Sequence, residues 1–181
     1  FDGFERIYGS EHSSDWRDKI VSRIYGSMKD IEERGLLSQE FIKIIESFVD
    51  ENEHVLEEQK LSLVYWDAHF DNILVDGTEI VGILDFERTE ISSIDFVLDI
   101  VKRMVDHPTK YMSERSVEFA EEKDYMRLLD WFEEYYPELF EFDDLDKRLE
   151  IYSLDHDLNT LLYYPGDEKL KEMIADTVRF H

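Results

Sequence analysis

The chain has 181 residues, 43% of them apolar and 14% aromatic, which suffices for one domain with a sizeable core and argues against a disordered chain. Lys and Arg number 20 against 45 Asp and Glu, a net charge of −25; such a field repels nucleic acid and anionic membrane surfaces and attracts small cations. Cysteine is absent, which removes a disulfide framework and a thiolate zinc site, and no apolar run reaches the roughly 18–20 residues of a membrane helix, so a cytoplasmic location is expected.

Along the chain, Trp16, Ile20, Ile24, Met28 and Ile31 recur at spacings of three and four. This predicts a helix over 13–34, capped by Ser13 or Ser14 and ended by Gly35. Phe41, Ile44, Ile45, Phe48, Val55 and Leu56 repeat the pattern over 38–58, with Ser38 as the cap. The period then shortens. LSLVY, NILV and EIVGILD are β-rich runs, and Asp76-Gly77 between the last two predicts a hairpin turn that pairs Val75 with Thr78. A longer turn would move that register by a residue or two.

Helical periodicity returns and predicts helices over 92–106, 113–136, 143–164 and 167–180, with Pro108, Pro137 and Pro165 in the gaps. Trp131, Phe132, Tyr135 and Tyr136 sit at helical spacing and are expected in the core. Asp155, Asp157 and Asn159 do not make a calcium loop, because Thr160 and Gly166 stand where that loop needs Gly and Glu. A solvated helix face is their expected setting, in preference to a substrate cleft. The fold class is therefore α+β and mostly α-helical, with one small β-hairpin.

That hairpin carries the chemistry. Continuing its ladder brings Asp67, Asn72 and Asp85 to one end. Each alone would be read as a polar group capping a strand end. Together, an Asn and two carboxylates are hard oxygen donors suited to Mg²⁺, which keeps some waters and takes its remaining ligands from phosphates. Asp67 and Asn72 reproduce the kinase spacing D-x-x-x-x-N, and Asp85-Phe86 falls where the metal-binding acid of D-F-G would come. His69, in the same loop, is expected to hydrogen-bond backbone rather than to shuttle protons.

The stretch YWDAHFDNILVDGTEIVGILDFER resembles the pattern h-G-D-x-H-x-x-N-h-L-h, hairpin, h-h-D-[FW] of the aminoglycoside phosphotransferase and choline kinase family. IDFVLDIV is similar to the G-D-P-x-x-D-L-A segment that follows it there. In motif the resemblance covers 63–101, and Tyr65-Trp66 stands where the family has His-Gly. It implies that Asp67 is the catalytic aspartate, that Asn72 and Asp85 hold Mg²⁺ on the phosphates of ATP or GTP, and that His69, Asp95 and Asp99 structure the catalytic loop. It further implies that 1–181 is the carboxy-terminal lobe of a small-molecule kinase with the protein-kinase-like fold. The acceptor would be a small molecule such as an aminoglycoside or a choline-like amine. No glycine-rich phosphate loop or strand lysine precedes the hairpin, so an amino-terminal nucleotide lobe is expected ahead of Phe1 and the fragment alone is expected to be inactive. A non-catalytic pseudokinase-like binding module and a metal-dependent phosphohydrolase are the alternatives.

Overall fold

The computed structural model describes residues 15–65, 70–108, 118 and 121–179. They fall into two compact units: residues up to Glu57 together with those from Asp146 onward, and Glu58–Leu145.

The first unit is helical. Helix α1 (Trp16–Glu33) buries the stripe Trp16, Ile20, Ile24, Met28 and Ile31, as its spacing requires. Its cap is Asp15 and not Ser13 or Ser14, which lie outside the described residues; the Asp15 carboxylate accepts from the Asp18 N–H. Gly35 ends the helix at φ 64. The Leu36 N–H bonds to the Ile31 carbonyl at 3.1 Å and the Gly35 N–H to that of Glu32 at 2.9 Å, the paired bonds that a glycine in the left-handed region makes possible.

Helix α2 (Gln39–Asn52) is capped by Ser38, whose hydroxyl accepts from Phe41 N–H. It buries Ile42, Ile45, Phe48 and Val49, whereas Ile44 faces solvent; the apolar stripe is rotated by about one position from the sequence expectation. The late helices of the chain, here numbered after those of the second unit, run Leu145–Tyr163 and Glu168–Arg179.

In the second unit, β1 (Leu61–Tyr65) pairs antiparallel with β4 (Thr89–Ser93), and β2 (Ile73–Asp76) pairs with β3 (Glu79–Ile83) as a hairpin inserted between them. The strand β4 replaces the start of the helix expected from Ser92. A 3₁₀ turn over Ile94–Phe96 follows it, and helix α3 begins only at Val97 and runs to Asp106. The Ile94 N–H donates to the Lys60 carbonyl at 3.0 Å, which carries the β1–β4 ladder one step further.

Of the helix expected over 113–136 only α4 (Leu128–Tyr135) is α-helical among the described residues: Glu122–Asp124 is a 3₁₀ turn and 125–127 a turn, while residues 109–117, 119 and 120 lie outside the described residues. Ile100, Val101 and Met104 of α3 pack with Tyr125 and Leu128, and Phe132 lies against them. The rest of the aromatic series does not join this core. Trp131, Tyr135 and Tyr136 are exposed, Tyr135 to 67%, because α4 covers a partner on one side only and all four aromatics cannot share that side.

With α5 (Leu145–Tyr163) and α6 (Glu168–Arg179), the helix list is complete for the described residues. Helices α3, α4 and α5 each end two residues before a proline, at Pro108, Pro137 and Pro165. Proline disfavours the helical region for its predecessor, and His107 and Tyr136 both sit outside it at φ −140, ψ 58.

Helix α5 runs through the first unit with Ile151, Tyr152, Leu154, Leu158 and Leu161 all buried. Asp155 and Asp157, expected on a solvated face, are buried on the same helix. Arg23 of α1 reaches Asp155 and forms an ion pair with its carboxylate. Arg148, fully buried, donates to the Val55 carbonyl and, at 3.3 Å, to the Tyr152 hydroxyl. That hydroxyl also accepts from the Trp16 indole N–H at 3.1 Å. A helix enclosed on all sides can carry charge only where such partners meet it. Among the described residues no helix is long and apolar enough to cross a membrane.

This network sets a stability order. Arg148→Leu takes the guanidinium donor from the Val55 carbonyl and leaves the Tyr152 hydroxyl with the Trp16 indole alone, and should cost about 3 kcal/mol, whereas Tyr152→Phe removes one acceptor and should cost about 1–2 kcal/mol. Urea titrations of the two variants should show lowered midpoints in that order with unchanged slope.

Candidate active site at the open end of the hairpin

The hairpin ladder pairs Asp76 with Glu79 around Gly77 and Thr78. Gly77 has φ 63, the positive angle required at the first central position of a two-residue hairpin turn and free of strain only for glycine. The turn is therefore Gly77-Thr78, where the sequence suggested Asp76-Gly77; the latter would put a positive φ on Asp76. Between the pairs Val75–Ile80 and Leu74–Gly82 the register slips, leaving Val81 as a bulge on β3.

The displaced turn and the bulge together decide what meets at the far end. The last strand pair is Ile73 with Ile83, and beyond it the Leu84 N–H donates to the Asn72 carbonyl at 2.8 Å. Asn72, half-buried, closes the 3₁₀ turn Phe70–Asn72, and Asp85 is the next residue after Leu84. The two expected metal-holding residues thus come together by a backbone hydrogen bond at the root of the hairpin. Asp67 and His69 lie outside the described residues.

Asp85 is exposed and adopts φ 56, ψ 65. A left-handed conformation in a residue with a side chain costs about 1 kcal/mol, and Asp bears it better than most. Tyr65, the last residue of β1, borders it on two sides. Its hydroxyl donates to the Leu84 carbonyl at 2.7 Å, and its ring lies 5.3 Å from that of Phe86. In the sequence Tyr65 stands out only as a replacement for a family histidine; its position at a strand end opposite the hairpin root was the available signal.

The acids that follow are buried. Asp95, in the 3₁₀ turn after β4, is 0% exposed, and Asp99, in the first turn of α3, is 2% exposed. Asp99 accepts from the Nε–H of Arg103 at 3.0 Å, one helical turn on. Asp71, inside the D-x-x-x-x-N stretch, was passed over in the sequence. It acts on the buried Tyr125: burial first, then the negative charges of Asp71 and Asp124, raise the pKa of this phenol above its ordinary value.

Among the described residues there is no group of three His, Cys, Asp or Glu that could hold a metal. Asn72 and Asp85 still fit Mg²⁺, which is commonly bound through one or two oxygen ligands from the protein while waters and phosphates complete the shell. Kinases place their metal on the nucleotide phosphates with one Asp and one Asn, and the pair Asn72 and Asp85 is compatible with that class, the phosphotransferases. The model of the phosphotransferase enzyme family (APH) matches residues 29–123, more than half of the chain. The chain belongs to this family. No curated protein and no solved structure matches it.

A folded-state pKa above the unfolded one means that the neutral phenol is preferred in the fold. Its contribution is complete below the unfolded tyrosine value of about 10 and is lost as pH rises through the higher folded value. Thermal melts of the wild type should therefore fall above about pH 10, and Tyr125→Phe should make that decline shallower.

Proposed function

We propose that the chain is the carboxy-terminal lobe, of protein-kinase-like fold, of a small-molecule kinase. The reaction is transfer of the γ-phosphoryl group of ATP or GTP to a hydroxyl of a small acceptor such as an aminoglycoside or an amino alcohol. The observation that carries this reading is the bond between Leu84 and Asn72, which brings the Asn of D-x-x-x-x-N beside the Asp that follows the second strand. Family membership supports it.

In this reading Asp67, which follows Tyr65 by two residues in the chain, orients the acceptor hydroxyl and takes its proton as the oxygen attacks phosphorus. Asn72 and Asp85 hold Mg²⁺ against the nucleotide phosphates. The metal supplies neutralisation of the charge that develops on the transferred group. His69 ties the loop to backbone, and Asp95 with Asp99 fixes the base on which the loop stands. The burial of both acids is compatible with that role.

The net charge of −25 favours a cationic acceptor. The amino-terminal nucleotide lobe implied by the family pattern would stand ahead of Phe1, cytoplasmic like the rest, and cover the apolar side chains that the hairpin exposes, Val75, Ile80 and Val81 among them.

The test is ATP consumption by the protein carrying its nucleotide lobe, with Mg²⁺ and a panel of aminoglycosides, amines and sugars. Acceptor-dependent turnover is expected, and Asp67→Asn should lower kcat by about 10²–10⁴-fold with the fold intact. Near-normal turnover in that variant would remove Asp67 from the mechanism. Phosphate release by this chain alone, without an acceptor, would point instead to a phosphohydrolase.

A further inference from the structure

We propose that Tyr65 is a positioning residue: it holds Asp85 in its left-handed conformation and thereby aims the Asp85 carboxylate at a divalent cation. The proposal deepens the reading above and rests on Asp85 being a metal-holding residue.

A left-handed non-glycine residue persists only where its surroundings over-determine it. Among the described residues only Asp85 and Asp144 have this conformation without being glycine. At Asp85 the surroundings are specific. The two peptide groups that lead into it are each held: the Ile83–Leu84 peptide by its N–H, which donates to the Asn72 carbonyl at 2.8 Å, and the Leu84–Asp85 peptide by its carbonyl, which accepts from the Tyr65 hydroxyl at 2.7 Å. The residue after it, Phe86, is met by the Tyr65 ring at 5.3 Å with the planes 36° apart. One side chain therefore grips both neighbours of Asp85 and leaves the carboxylate itself exposed.

Tyr65 is itself rigidly placed. It ends β1 and pairs with Thr89, the first residue of β4, so the chain is held by a strand ladder on the far side of the turn that contains Asp85. The ring orients through Phe86 and the hydroxyl through Leu84. Loss of the hydroxyl frees the Leu84 carbonyl to rotate, and the peptide that sets φ of Asp85 rotates with it. The carboxylate then samples right-handed and extended positions, and only a fraction of molecules presents it beside Asn72. A residue that merely stabilised the fold would lower the melting temperature without moving Asp85.

The experiment uses the isotope-labelled 181-residue chain and Mn²⁺ alone as the probe, followed by nuclear magnetic resonance. Two readouts are taken: the backbone chemical shifts of Asp85, which report its φ, and the Mn²⁺ concentration that half-broadens the amide signals of Asn72 and Asp85. Tyr65→Phe keeps the ring and removes the hydroxyl. It should shift Asp85 away from left-handed values and raise the Mn²⁺ midpoint about fivefold, the equivalent of one neutral hydrogen bond. Phe86→Leu keeps the hydroxyl bond and loses the ring contact, and should raise the midpoint about twofold.

Asp85→Asn separates the two levels of the argument. If it abolishes the broadening while Tyr65→Phe leaves both readouts unchanged, Tyr65 has no positioning role and the metal reading of Asp85 stands. If Asp85→Asn leaves the broadening intact, the metal reading fails and the proposal for Tyr65 falls with it. Should Tyr65→Phe lose its dispersed spectrum, Phe86→Leu decides, and unmoved Asp85 shifts there overturn the proposal.

Discussion

Leu84 is the residue on which the candidate site depends. Its N–H donates to the Asn72 carbonyl and its own carbonyl accepts from the Tyr65 hydroxyl, so the ends of three strands, β1, β2 and β3, are tied to the two peptide groups that flank a single residue. A hairpin of four- and five-residue strands is at best marginally stable by itself. Its root is held because β1 and β4 close a second ladder on either side of the insertion, with Tyr65 opposite Thr89 at the end nearest the hairpin. Asn72 and Asp85 owe their proximity to this arrangement and not to any direct bond between their side chains.

Much of this could be read from the residues, and the exceptions have physical causes. The stripe of α1 and the glycine after it were legible because one apolar face and one positive φ leave an unambiguous pattern. The hairpin was legible in existence and not in register: a single Gly77 serves a turn on either side of itself, and the bulge at Val81 leaves no mark in a run of apolar residues. Strand β4 was hidden because its buried residues are Ser92 and Ser93 while Ile91 is exposed, the reverse of the alternation by which a half-buried strand announces itself. Asp155 and Asp157 were misplaced for the complementary reason. Charge on a helix suggests solvent, and the arginine that makes burial tolerable for Asp155 lies far away in sequence at Arg23.

The acidic excess divides into two populations with different consequences. Among the described residues four carboxylates are buried, Asp95, Asp99, Asp155 and Asp157. Two of them meet arginines, Asp99 with Arg103 and Asp155 with Arg23. Their charge is spent locally and adds specificity to the packing more than field to the surface. The remaining excess acts at long range, over the roughly 8 Å that physiological salt permits. On the proposed reading it would draw a cationic acceptor toward the chain and raise its local concentration, while leaving the choice among acceptors to groups that touch them.

Two costs are concentrated on the same few residues of the hairpin. One is the left-handed Asp85 at its root. The other is apolar surface: Val75 is 64% exposed, Ile80 64% and Val81 63%, with Leu74 and Phe86 also open. A scattered exposed valine needs no explanation, but neighbouring apolar side chains on one short hairpin are what a binding surface looks like. Strain at the root and apolar exposure along the strands would each be removable by ordinary substitutions, a Gly at position 85 and polar residues on β2 and β3. On the proposed reading both are kept for one reason. A nucleotide has an apolar ring at one end and metal-bound phosphates at the other, and the hairpin offers an apolar surface that leads to an acid held beside Asn72.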